Sequence, residues 1–263
     1  MTFTAFMPSY FAVLPSAPWV HHLHGITATL WIVLVAAQNW TAHQGKWNWH
    51  VRSGIASMAL VPVFTAGGLL VTQHMLRTES LFNELFGHAL SVADLVASGA
   101  FVILYTLALR NRRTPDVHAR YMLATVILLI GPSLARFLVS FVPGFLVRSA
   151  ETLPRFGTAL DVSFTAATAL CLILILKDFA AARPLGPFLA AMITTVAMVL
   201  SYHFIGHHAG YEPVMAWIAG LARWQVALFG AVVSSVAITW AWLNPRTAQR
   251  DVVNQSEIRS DYA

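Results

Sequence analysis

The chain has 263 residues, 57% of them hydrophobic and only 10% charged, with a mean hydropathy of +0.65. A soluble domain carries roughly a quarter charged residues, so this composition excludes a water-solvated globule. It points to a bilayer, where apolar runs lie against lipid once their backbones are hydrogen-bonded internally. The net charge of +5 would suit nucleic acid, but the basic residues sit in short loops between apolar runs, where they set topology instead.

Residues Met1–Ala17 lack a basic n-region and hold Pro8 and Pro15, so they do not read as a signal peptide. They are expected to form an extracytoplasmic leader lying on the surface. Seven runs then approach the roughly 20 apolar residues that a spanning helix needs: Trp19–Trp40, Val51–Leu70, Leu90–Leu109, Tyr121–Phe141, Ala159–Leu176, Pro187–Phe204 and Trp224–Leu243. Trp19 with Trp40, and Trp224 with Trp242, bracket the first and last runs at headgroup level. The expected fold is therefore an all-α polytopic membrane bundle of about seven transmembrane helices over 18–243. The polar stretch 244–263 is expected to be a disordered cytoplasmic tail.

Lys46, Arg52, Arg110, Arg112, Arg113, Arg120, Lys177, Arg183, Arg246, Arg250 and Arg259 fall at one end of the runs, called here the basic end. Arg77, Arg136, Arg148, Arg155 and Arg223 fall at the other, so the split is eleven to five. The positive-inside rule predicts an N-terminus outside and a C-terminus inside the cytoplasmic membrane of a bacterium. A lone Cys171 excludes a disulfide framework. Retinal chemistry would need a Schiff-base lysine in the seventh helix, and the two lysines, Lys46 and Lys177, lie elsewhere. Neither a hydrolase triad signature nor a phosphate-binding glycine loop is present.

A faint internal repeat links the first four runs. His24 enters the first and His88 the third; His50-Val-Arg52 opens the second and His118-Ala-Arg120 the fourth, with Pro62 and Pro132 following. Neutral imidazole is a good axial ligand for haem iron, and histidines on facing helices can clamp a haem in a bundle. His24 with His88 could hold an outer haem b, and His50 with His118 an inner one, with Arg52 and Arg120 suited to the propionates. The competing reading of His-x-Arg is a side chain snorkelling to lipid phosphates.

The outer end collects His24, His74, His88, Asp94, Arg136, Asp161, His203, His207 and His208. His203 and His207 share a helical face, so with His24, His74 and His208 they could ligate zinc or copper. Asp94 and Asp161 would then orient the rings, or else pair with Arg136. Two rival functions use this cluster: a metal-dependent intramembrane enzyme with Asp94 or Asp161 as general base, and a metal or proton transporter or sensor. The leading expectation is a haem b membrane redox protein moving electrons within or across the bilayer to an unidentified redox partner or small-molecule substrate.

The stretch His22-Leu-His24-Gly25, Trp31, Gln38 and His50-Val-Arg-Ser-Gly54, followed by His118-Ala-Arg120-Tyr-Met122, Ala124-Thr125 and Arg136, resembles a widespread family of uncharacterised bacterial membrane proteins. Val51 and Ser53 stand where that family has a basic residue and a leucine. The resemblance covers about Tyr10–Phe137 and implies no activity. More distantly, the histidine spread is similar to two-haem, four-helix membrane cytochromes that reduce ferric iron or oxidise ascorbate. That similarity implies haem at the same histidines.

Overall fold

The computed structural model describes residues 2–8 and 10–246. The expected tail beyond 246 lies outside the described residues. Ten α-helices are present among the described residues, and no strand: α1 Thr2–Phe6, α2 Trp19–His43, α3 Trp47–Arg77, α4 His88–Arg110, α5 Pro115–Ile127, α6 Ile130–Phe141, α7 Arg155–Ala180, α8 Gly186–Leu200, α9 Glu212–Gly220 and α10 Arg223–Leu243. Joined with their short flanking turns, these make seven segments long and apolar enough to cross a membrane, α5 and α6 forming one of them. The protein is an all-α, multi-pass membrane bundle.

Each spanning helix divides its residues between lipid and interior. In α2, Val20, Thr27, Trp31 and Gln38 are buried while Ile26, Leu30 and Val33 are exposed, the two stripes that a 3.6-residue period produces. In α10 the buried stripe is Val226, Gly230, Ser234, Ile238 and Ala241, and the exposed one includes Leu228, Phe229, Val232 and Val236. Small residues on that inner face let backbones close in. A Cβ on Gly230 would come within 3.1 Å of the Ala66 Cα in α3.

Helices α2 and α3 form one antiparallel hairpin, turned tightly at Gly45 in the left-handed region (φ +65). Helices α4 and α5–α6 form the second. The α5–α6 break at Leu128–Leu129 lies where Pro132 removes a backbone donor and presses on the carbonyl four residues earlier. Helix α4 is the hub, packed against α3, α5, α8 and α10. At its middle, Trp31 is fully buried, stands edge-on to Phe101 and Tyr105, and donates Nε1–H to Thr125 Oγ1 at 3.2 Å. Tyr105 Oη and Ser57 Oγ share a hydrogen bond of 2.6 Å. The hairpins are thus bolted together through paired polar groups, as low-dielectric packing demands.

Aromatic belts mark both ends. Lys46 lies over Trp40, Arg110 over Trp240 and Arg112 over Trp242, at 4.2–4.4 Å from the ring centroids; at the opposite end Arg223 sits 6.0 Å from Trp19. The leader does more than lie on the surface. Helix α1 packs against α6, Ala5 is fully buried, and Tyr10 Oη hydrogen-bonds His22 Nδ1 at 2.8 Å.

Candidate functional site

At the basic end the two hairpins present matching histidines. His50 opens α3, and its Nδ1 lies 3.2 Å from the Gln38 carbonyl near the end of α2. His118 lies in the first turn of α5, and its Nδ1 lies 2.8 Å from the Ala108 carbonyl near the end of α4. A carbonyl only accepts, so Nδ1 donates in both rings. Each neutral ring therefore keeps its lone pair on Nε2. The two half-buried rings meet with centroids 6.4 Å apart and planes at 74°. The expected inner pair is brought together, and its two members are related as the sequence repeat relates their helices.

Gln38 reinforces the arrangement. Its Nε2 donates to the His50 carbonyl (2.8 Å) and to Ser53 Oγ (2.6 Å), so the Gln38, His50 and Ser53-Gly54 positions form one clasp between α2 and α3. Trp47 stands edge-on to His50 at 5.9 Å. The flanking arginines behave differently from the expectation. Arg120 is buried and grips Asp178 of α7 with two hydrogen bonds, Nε at 2.6 Å and Nη2 at 3.0 Å, while Nη1 reaches Asp116. Its donors are committed to carboxylates of the chain itself. Arg52 is exposed on the surface.

The outer cluster divides into separate places. His24 stacks on Phe64 (5.1 Å, 12°) at the level of Gly68 and Ser98, for a Cβ on Gly68 would lie 3.5–3.7 Å from both side chains. His88 is ten residues from Ser98 on α4, about 15 Å along the axis, and exposed. His24 and His88 are therefore not brought together. His88 instead lines a cavity of about 180 Å³ with Glu84, His207, His208 and Glu212. There His208 Nδ1 accepts from the Gly210 amide at 3.0 Å.

His203 points away from this group. Its Nε2 pairs with Asp161 Oδ1 at 2.8 Å, on a side where both side chains are about half exposed (42% and 49%). His74 stands edge-on to His21 at 5.4 Å. Among the described residues no three histidine, cysteine or acidic side chains converge on a metal-ligating centre. The expected grouping of His24, His74, His203, His207 and His208 for zinc or copper is not brought together among the described residues. These residues come from α2, α3 and the turns after α8, and α2 packs chiefly on α3, whereas α8 packs on α4, α5 and α7.

Around His24 a different constellation forms. Asp94 accepts from Thr72 Oγ1 at 3.4 Å. Arg136 of α6 lies within electrostatic reach of Asp94 and His24. It donates from Nη1 to the Pro132 carbonyl at 3.1 Å and carries the Phe6 ring over its guanidinium at 4.8 Å. Sequence reasoning missed Phe6, Tyr10 and the Asp178 partner. Asp178 alone left a signal, as an acid at the end of an apolar run at the same end as Arg120. No family model, curated protein or solved structure matches the chain.

Proposed function

We propose that the protein is a redox protein of the bacterial cytoplasmic membrane that holds one b-type haem between His50 and His118 at its cytoplasmic end. The observation that carries this reading is the pair itself. Two imidazoles on repeated hairpins lie 6.4 Å apart, each anchored through Nδ1 to a main-chain carbonyl. A histidine that binds a metal through Nε2 characteristically donates its other nitrogen to such a carbonyl, which fixes the ring and raises its basicity. Two metal–imidazole bonds of ~2 Å each, with the ring radii added, span about 6 Å. The donor set suits low-spin haem iron.

The haem supplies reversible one-electron chemistry when bound. The chain's part is to present both lone pairs, to hold the rings through the Gln38 and Ala108 carbonyls, and to place the site at one membrane face. Electron exchange on that face follows, rather than a wire across the bilayer. His24 lies at the level of Gly68, which is eighteen residues, or about 27 Å, along α3 from His50.

The test is the optical spectrum of the detergent-purified protein from haem-replete cells, with haem quantified per chain. The expected result is a Soret band, a sharp α-band on dithionite reduction, and one haem per chain. A colourless preparation that also fails to take up added hemin would overturn the reading.

A further inference from the structure

The cavity at the end opposite the His50–His118 pair is framed by two π-helical turns. Asn83–Gly87 leads into α4, and Ser201–Ile205 follows α8. Single turns of this kind are rare and recur at functional sites. The two walls touch at Gly206, where a Cβ would run into the Ala89 Cα, so the absence of a side chain lets them close. Glu84 and His88 come from the first wall, His207 and His208 from the second. The third side is Glu212, at the start of α9. His208 fixes that side: its Nδ1 accepts from the Gly210 amide at 3.0 Å and caps the turn Ala209–Tyr211 that runs into Glu212. His207 is held edge-on to the buried Tyr202 ring at 5.8 Å.

The chemistry of this lining is one-sided. Its formal charges are the carboxylates of Glu84 and Glu212, since neither lysine nor arginine lines it. Among the described residues neither carboxylate has an ion-pair partner within 4 Å. The rings of His88 and His207 are likewise free of hydrogen bonds there, and each neutral imidazole offers one lone pair. These groups do not converge on a point that a metal ion could fill. They are acceptors spread around a small space, which calls for a cation that carries several N–H donors. The volume of about 180 Å³ has room for roughly six waters at ~30 Å³ each, and so for a ligand group of a few non-hydrogen atoms.

We propose that this cavity binds the primary ammonium group of a small amine or of an amine-bearing lipid headgroup, with Glu84 and Glu212 as its two anionic acceptors. An ammonium has three N–H donors. Two go to the carboxylates as charge-assisted hydrogen bonds, and the third to the lone pair of His88 or His207. His208 is a positioning residue, because its cap sets the turn from which Glu212 starts. The cavity is open to water, so affinity is modest, with Kd of about 1 mM. The site is independent of the haem reading, which concerns the opposite end of the bundle.

The experiment places the full chain in phosphatidylcholine nanodiscs at fixed ionic strength. Ethylammonium is the probe, followed by saturation-transfer NMR of its methyl group. Wild type is expected to bind it saturably, and E84Q and E212Q each to weaken binding about tenfold, as loss of a charged hydrogen bond does. E151Q, which removes an acid of the same end that does not line the cavity, is expected to bind as wild type does. Tetramethylammonium, which has the charge but no N–H, is expected to bind at least about tenfold more weakly. Loss of the ethylammonium signal when phosphatidylethanolamine is added to the discs would assign the ammonium to a lipid headgroup; persistence would assign it to a free amine. Either result upholds the site. Absence of saturable binding by wild type in phosphatidylcholine discs would overturn it. So would equal affinity for tetramethylammonium, a test that needs no variant to fold, or unchanged affinity in either folded glutamine variant.

Discussion

Arg120 and His118 sit two residues apart in α5 and do opposite things. The guanidinium is spent on Asp178, whereas the imidazole keeps its Nε2 lone pair free of any partner among the described residues. Breaking a buried ion pair from one side leaves an uncompensated charge and costs about 3–5 kcal/mol. Arg120→Ala is therefore expected to lower unfolding stability in detergent by about that amount, while leaving the position of the reduced α-band unchanged. An α-band shift without a stability loss would instead restore Arg120 to the cofactor. Gly206 makes a second residue-level test. A Cβ there would fall 2.3 Å from the Ala89 Cα, so Gly206→Ala is expected to force α4 and the turn that follows α8 apart at about 1–3 kcal/mol. Thermal unfolding of the variant measures it.

Helices and their ends were the legible part of the chain, because lipid reads hydropathy directly. All seven runs are spanning helices, several extended by a turn or more of polar residues, as α3 is from Val51 back to Trp47 and from Leu70 on to Arg77. The bonds of the first hairpin motif were not legible: Trp31, Gln38, His50 and Ser53 all make hydrogen bonds between or within helices, roles that the motif did not specify. What the sequence could not convey was rotation and neighbourhood. His203 and His24 share an end of the bundle, but α2 packs chiefly on α3 while the turn after α8 carries His203 to Asp161 of α7. Helical spacing ranks residues along an axis and says nothing of which helices are adjacent. The contacts of the N-terminal segment were hidden for a related reason: Phe6 and Tyr10 are ordinary aromatics until α6 and α2 bring Arg136 and His22 to them. At the hairpin contact, Trp31→Phe is expected to cost about 0.5–1.5 kcal/mol through the lost bond to Thr125. A double-mutant cycle with Thr125→Val should recover most of that coupling.

As a whole, the molecule is asymmetric: one end is basic and carries the anchored histidine pair, the other carries Arg136 under the Phe6 ring and a polar cavity. If the eleven-to-five split of basic residues sets topology, a reporter fused after Ala263 is expected in the cytoplasm and one inserted between Arg148 and Arg155 outside it. Both reporters on one side would contradict the seven-span path. The histidine pair bears most weight, and chemical rescue tests it most directly. His50→Gly and His118→Gly should each lose the low-spin α-band of the reduced protein and regain it on adding millimolar imidazole, while His24→Ala and His88→Ala keep it. An α-band that survives in both glycine variants, or that disappears in His24→Ala, would contradict haem ligation by His50 and His118.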